Sequence, residues 1–385
     1  FCTSIITKAL FAGIWFKLDI FFSCSFSLAK DVFEGEFAVD SLPLRVAEMT
    51  SMVLKLTNFA ESSPLKVAIL AIPGCLTSAV FGLEEMLLVA NKLMLADENK
   101  SLSSSSFAVT RLSLEEMNLE ECYQLVIIPP SIETELYFNA APSLRLWLQQ
   151  QHARGAILCS ACAGAFVLAA AGLLNGRKAT THWGLVETFE TQYPQVKLEI
   201  EKIMVNEGDI ITAAGMMSWL DLGLELVAQF CHVKVMRQLG KYLVIDTGGR
   251  EQRYYQQFLP KRDHGDAVIL GLQNRLQTDY GEPMSVAVLA QQCCMGERTF
   301  LRRFVKATGH KPNEYLQKLR IQKACDLLEN SSLSFETIAH QVGYEDVSAC
   351  RKAFTRITGL TPSAFRQRFS ALTPALTPVD DSSIN

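Results

Sequence analysis

Two stretches near the C-terminus follow one plan. SVAVLAQQCCMGERTFLRRFVKATG (285–309) and SFETIAHQVGYEDVSACRKAFTRITG (334–359) each open with a short apolar helix, carrying Leu289-Ala290 in one and Ile338-Ala339 in the other. A tight turn follows, then a second helix with Phe304 or Phe354 inward, closed by Thr-Gly. That is a helix-turn-helix written twice. PNEYLQKLRIQKACDLLEN (312–330) lies between the copies and reads as one continuous helix, its apolar face supplied by Leu316, Leu319, Ile321, Leu327 and Leu328. No strand pattern survives across 266–370, so this part of the chain is expected to be all helix and turn.

The second helix of each copy is the one such motifs lay in the major groove, and its outward residues can be read off. Burial of Phe300 and Phe304 leaves Arg298, Leu301, Arg302, Arg303 and Lys306 on exposed or flanking faces. Ser348, Arg351, Lys352 and Arg356 take the comparable places in the second copy. Like charges four apart on one helix face cost an isolated helix ~0.2–0.5 kcal/mol. The arrangement makes sense where phosphates and guanine edges neutralise it. The whole chain carries a net charge of −4, but Arg275 to Ser370 holds 14 basic against 9 acidic residues, leaving 22 against 31 elsewhere. A basic third on an acidic body points to a polyanion partner for that third.

The residues ERTFLRRFVKATGHKPNEYLQKLRIQKACDLLEN and SFETIAHQVGYEDVSACRKAFTRITGLTPSAFRQRF resemble the AraC family of bacterial transcription regulators. Ile338-Ala339, Gly343-Tyr344, Ser348, Phe354, Gly359, Pro362 and Phe365-Arg366 carry the likeness. Cys350 and Leu301 depart from it, although Leu301 suits a thymine methyl. The resemblance implies a double-stranded DNA operator and RNA polymerase as partners.

The rest of the chain has another character. Short apolar runs, VAILAI (67–72), FAVTRL (107–112), QLVIIPP (124–130) and GAILCS (155–160), alternate with helical segments at 79–94, 144–151 and 161–174. KIMVNEGDIITAAG (202–215) reads as a hairpin turning at Glu207-Gly208, and 218–240 as one long amphipathic helix. Strands alternating with helices predict a parallel sheet covered on both faces. The polar, Gly- and Pro-bearing stretch 244–265 reads as a linker. The fold class expected is therefore a flavodoxin-like α/β parallel sheet domain at 64–243, followed by an all-α double helix-turn-helix domain at 266–370.

The join GAILCSACAGAFVL turns sharply from strand to helix at Cys162. Such a turn sets a side chain over backbone N–H groups and the positive end of a helix, which favours an anion. His182 follows in ATTHW (179–183), and Cys162 and His182 have the types of a nucleophile and its base. The motifs ACAG and TTH resemble the ThiJ/PfpI family, related to class I glutamine amidotransferases. In that family an acidic residue from the loop after the first strand orients the cysteine. Here that loop, PGCLTSAVFG (73–82), contains no Asp or Glu. Three readings of Cys162 stay open: a nucleophile, a wall of a ligand pocket with Ala163, His182 and Trp183, or a small residue in a tight turn. A ThiJ/PfpI-like domain ahead of an AraC-like one resembles bacterial regulators that dimerise and answer to a small effector, such as an amino acid or quaternary amine. The alternative is a cysteine-dependent amidase or glyoxalase-like enzyme tethered to a DNA-binding module.

The remaining expectations are quickly stated. The 11 cysteines are odd in number and lack framework spacing, which reads as reduced thiols in a bacterial cytoplasm. No Cys/His spacing suits zinc, and no metal or cofactor is expected. The chain begins at Phe1 and its first methionines are Met49 and Met52, so residues 1–63 are expected to be a disordered leader or a start read too far upstream. The apolar stretch 9–29 carries Lys17 and Asp19 at its middle, each costing ~2.5–3.5 kcal/mol at a bilayer centre, so no membrane is expected. Residues 371–385 are expected to be a disordered tail.

Overall fold

In the first strand, Leu65–Leu70 (β1), Val67 and Ile69 point to one face and Ala68 and Leu70 to the other, and all four are fully buried. Burial on both sides is what a central strand of a covered sheet requires. The computed structural model describes residues 64–95 and 105–370; the expected leader and tail lie outside them. Five more strands complete the sheet: Phe107–Leu112 (β2), Leu125–Ile128 (β3), Ile157–Ala161 (β4), Met204–Asn206 (β7) and Ile210–Ala213 (β8). Their order is β2-β1-β3-β4-β8-β7, parallel throughout except for β7. Lys178–Ala179 (β5) and Lys197–Leu198 (β6) pair beside it as a small parallel sheet that the periodicity had not suggested.

Helices cover both faces. Thr77–Leu95 (α1) buries Val80, Leu83 and Leu87 in one core, together with Leu222, Leu226 and Leu239. On the other face Glu135–Phe138 (α2), Pro142–Ala153 (α3), Gly164–Ala170 (α4) and Val186–Gln192 (α5) enclose Tyr137, Trp147, Phe166 and Phe189. Two expected helices changed. The one expected over 161–174 is the shorter α4, because Cys162 and Gly172 adopt positive φ of 54° and 73°. The long helix expected over 218–240 is two, Trp219–Phe230 (α6) and Val233–Leu243 (α7). The chain breaks at His232, which is extended and whose Nδ1 accepts the Lys234 N–H at 3.1 Å, capping α7.

The helical region is built as two matching units on a shared spine. Ala267–Asp279 (α8), Val286–Gln292 (α9) and Glu297–Thr308 (α10) pack with the first half of Pro312–Asn330 (α11) around Phe300, Phe304 and Tyr315. Phe335–Gln341 (α12), Val347–Thr358 (α13) and Pro362–Phe369 (α14) pack with its second half around Ile338, Phe354 and Phe365. The units match in detail. Thr308 and Thr358 each donate to the carbonyl four residues back, at 2.8 and 2.9 Å. Gly309 and Gly359 end their helices in the left-handed region, with φ of 73° and 78°. Tyr315 and Phe365 stand edge-on to Phe304 and Phe354, both with ring centroids 5.4 Å apart. Inside the two turns the chain also becomes left-handed, at Cys294 and at Gly343. At Gly343 the glycine is required, since a Cβ there would lie 2.8 Å from the Arg320 guanidinium and strike the Gly281 carbonyl.

The stretch read as a linker has fixed contacts. Residues 252–254 form a 3-10 turn, and Gln252 within it is 2% exposed.

Candidate functional site

The parallel strands β1, β3, β4 and β8 deliver their following residues to one edge of the sheet, where sheets of this kind place their binding crevices. Cys75 follows β1, Ser131 follows β3 and bridges to Cys75, Cys162 follows β4, and Gly215 follows β8. Gly164 allows the close join: a Cβ there would lie 3.0 Å from the Ile128 carbonyl oxygen. The Cys162 N–H donates to the Ala213 carbonyl at 2.7 Å, and the Thr181 hydroxyl donates to the Cys162 carbonyl at 2.9 Å. These bonds hold the strained residue between β8 and the Thr181–Trp183 loop.

The thiol at this turn is enclosed. The Cys162 side chain is buried, with its thiol 3.8 Å from Met216 Sδ. Burial pushes the thiol pKa up to about 11, against the opposing pull of the Ala163 and Gly215 N–H groups. His182 is half-buried and its Nδ1 accepts the Gly184 N–H at 3.0 Å, capping the short turn Trp183–Leu185. Burial lowers its proton affinity, so the neutral ring is favoured. Its ring lies against that of Trp183, with centroids 5.1 Å apart. Ala163 is wholly buried. The loop after β1 has no acid of its own. Glu133, from the loop after β3, is the carboxylate that approaches it, lying where a Cβ on Gly74 would be 2.8 Å from the Glu133 Cβ. At pH 7 the Cys162 thiol is therefore expected to alkylate far more slowly with iodoacetamide than the exposed Cys122 and Cys294. Its rate should climb about tenfold per pH unit as the thiolate population grows toward a pKa of about 11. Mass spectrometry of the modified peptides checks this. Fastest modification at Cys162 at pH 7 would support the nucleophile reading.

Across the helical units the outward faces of α10 and α13 are open. Arg298, Arg302 and Lys306 are exposed on α10, beside a half-exposed Leu301. Arg303 is placed differently from its neighbour. Its guanidinium donates to both carboxylate oxygens of Asp266, at 2.8 and 2.9 Å, and Asp266 in turn caps α8 by accepting the Ile269 N–H. Arg303 thus lies on a flanking face of α10, where its pair with Asp266 ties α10 to α8. On α13, Ser348, Arg351 and Lys352 are exposed, and Asp346 caps the helix by accepting the Ser348 N–H at 2.8 Å. Arg351 also stacks over Phe335 at 5.0 Å. Arg356 bonds to Gln317 on the spine helix α11. With Leu301, Lys311, Asn313 and Lys318 it lines a groove of about 620 Å³ between the two units.

Gln252 escaped the sequence reading altogether. Its side-chain oxygen accepts the Trp183 N–H at 2.7 Å, and its amide donates to the Thr181 and Ile200 carbonyls at 3.0 and 2.7 Å. Nothing in the polar run DTGGREQRYYQQ marks this one glutamine among its neighbours. Among the described residues no helix is long and apolar enough to cross a membrane, and no group of three or more His, Cys, Asp or Glu could hold a metal ion.

A doubly wound sheet joined to two spine-linked helix-turn-helix units is the architecture of a regulator with a separate DNA-binding part, and comparison with known proteins places it. Residues 289–368 match the helix-turn-helix domain family of AraC type, and residues 87–229 match the DJ-1/PfpI family. The HTH-type transcriptional regulator CdhR of Pseudomonas aeruginosa is 30% identical over 248 residues, covering 62% of this chain and 70% of that protein. The HTH-type transcriptional regulator ArgR of the same organism is 27% identical over 271 residues, covering 68% and 79%. The crystal structure of an AraC family transcriptional regulator from Pseudomonas putida is similar over 47% of this chain and all of that one, at 21% identity and a TM-score of 0.39. The chain belongs to the AraC family of helix-turn-helix transcriptional regulators that carry a DJ-1/PfpI domain.

Proposed function

We propose that this protein is a sequence-specific DNA-binding regulator whose residues 64–243 sense a small metabolite and whose residues 266–370 read DNA, with 244–265 joining them. The observation that carries this reading is the pair of helices α10 and α13, which bury Phe300 with Phe304 and Phe354 in separate cores and leave basic side chains outward. One chain then reaches two successive major grooves. Arg298, Leu301, Arg302 and Lys306 meet the first groove, and Ser348, Arg351, Lys352 and Arg356 the second. The effector docks at the carboxyl edge of the sheet near Cys162, where His182 and Trp183 present the accessible surface and Ala163 supplies backbone. The buried thiol supports a binding role over catalysis there. The protein works as a homodimer through 64–243, in the bacterial cytoplasm, and acts on RNA polymerase at the promoter it occupies.

Selection from random duplex DNA by the full chain at fixed salt tests the reading. Enrichment of one sequence with two conserved blocks is expected. Uniform recovery of all sequences would contradict it. A melting-temperature screen of small metabolites then finds the effector, since a ligand at ~100 times its dissociation constant adds ~2.7 kcal/mol.

A further inference from the structure

The segment between the sheet and the helical units touches both, residue by residue. On the sheet side Arg250 pairs with Asp221, and Gln252 makes its three bonds to Thr181, Trp183 and Ile200. The Gln252 N–H adds a bond to the Glu201 carbonyl at 2.8 Å. The very next residues belong to the other side. Arg253 and Tyr254 fill the space beside Gly359, the C-terminal cap of α13, leaving no room there for a Cβ. Tyr255 stands edge-on to Phe369 with centroids 5.5 Å apart, and its hydroxyl accepts from Arg368 at 3.1 Å. Phe258 reaches the first unit, donating its N–H to Gln322 at 3.0 Å and packing edge-on to Tyr315 at 5.1 Å.

We infer that residues 250–258 are a strap that couples the Thr181–Trp183 loop to both helix-turn-helix units. The inference rests on the regulator reading and supplies its missing transmission step. Gln252 holds the Trp183 N–H and the Thr181 carbonyl, and Thr181 holds the Cys162 carbonyl, so the strap is one residue removed from the carboxyl edge of the sheet. A ligand that draws this loop toward itself must stretch or break the Gln252 bonds. The 3-10 turn then shifts, and the rings on Gly359 and Phe369 shift with it. Buried amide bonds of this kind have few intermediate arrangements, so the strap is either seated or released. Coupling is reciprocal, so if releasing the sheet end releases the helical end, loosening the helical end must loosen the sheet end by the same coupling free energy.

Hydrogen–deuterium exchange on the full chain tests this without an identified effector. Phe369→Ala removes a partly buried ring of α14 that packs on Tyr255 from the helical side. It is expected to speed exchange of the peptide containing the Trp183 amide by ~3-fold or more. Gln252→Leu is expected to do the same to peptides within 359–369. If Gln252→Leu does not fold, Phe369→Ala and Arg368→Ala carry the test. Unchanged exchange at Trp183 in both of those variants would overturn the strap. Failure of the regulator reading looks different: a wild-type chain that selects no duplex sequence would sink it, whatever the exchange pattern.

Discussion

Arg302→Ala lowers the affinity of the full chain for its selected duplex about 5- to 150-fold, the ~1–3 kcal/mol expected of a side chain that reads a base edge. Arg302 is exposed on α10, while Phe300 and Phe304 point into the core. Its removal therefore leaves the fold alone. Arg303→Ala is the control one residue away. It breaks the two bonds to Asp266 and should cost stability while leaving the base preference intact. Binding at fixed salt, with matched and mismatched duplexes, separates the two. Equal affinity of Arg302→Ala and wild type would remove α10 from the groove.

Arg320→Ala is expected to have the largest effect on stability. Arg320 sits at the middle of α11 and has no carboxylate partner in its bonding set. It donates instead to three backbone carbonyls, those of Tyr280, Gly343 and Glu282, at 2.7, 2.9 and 2.8 Å. The first and third lie just past α8 and the second in the turn between α12 and α13, so one guanidinium pins the start of one unit to the turn of the other. Burial lowers the proton affinity of the group, but a guanidinium stays charged at any physiological pH. Bonds to a charged group contribute ~1.5–3 kcal/mol each net, and orphaned carbonyls cost ~1–3 kcal/mol. Because water reaches part of the site, the net loss expected is about 3 kcal/mol. For a unit of this size that is a drop of roughly 10–20 °C in the melting transition of the helical region, read by calorimetry. Arg320→Lys should rescue little, since an ammonium cannot fork to three acceptors. A shift of no more than a degree or two in Arg320→Ala would mean the pin is ornamental.

What the sequence made legible was local. A buried Phe, a Thr-Gly stop and a Pro after it sit within a few residues of one another, so both helix-turn-helix units and the spine between them could be read directly. The alternation in β1 and the sharp turn at Cys162 are local too. What escaped depends on distant partners. Arg302 and Arg303 are identical neighbours, separated in role by Asp266, far away in the chain. Gln252 is one of several glutamines in a polar run, distinguished by carbonyls at 181 and 200. The break of the expected long helix at Cys231-His232 is the local exception, a side-chain cap of His232 on Lys234 that the apolar periodicity runs straight through. Leu301 lines a groove whose other wall is built by α11 and α13.

The central claim is that one chain reads DNA through two helices at once. Hydroxyl-radical footprinting of the full chain on its selected duplex tests this most directly. Two protected patches about one helical turn apart, ~34 Å or ~10 base pairs, are expected for each bound chain. Arg302→Ala should weaken one patch and Lys352→Ala the other. A single protected patch per chain, weakened alike by both substitutions, would contradict the account.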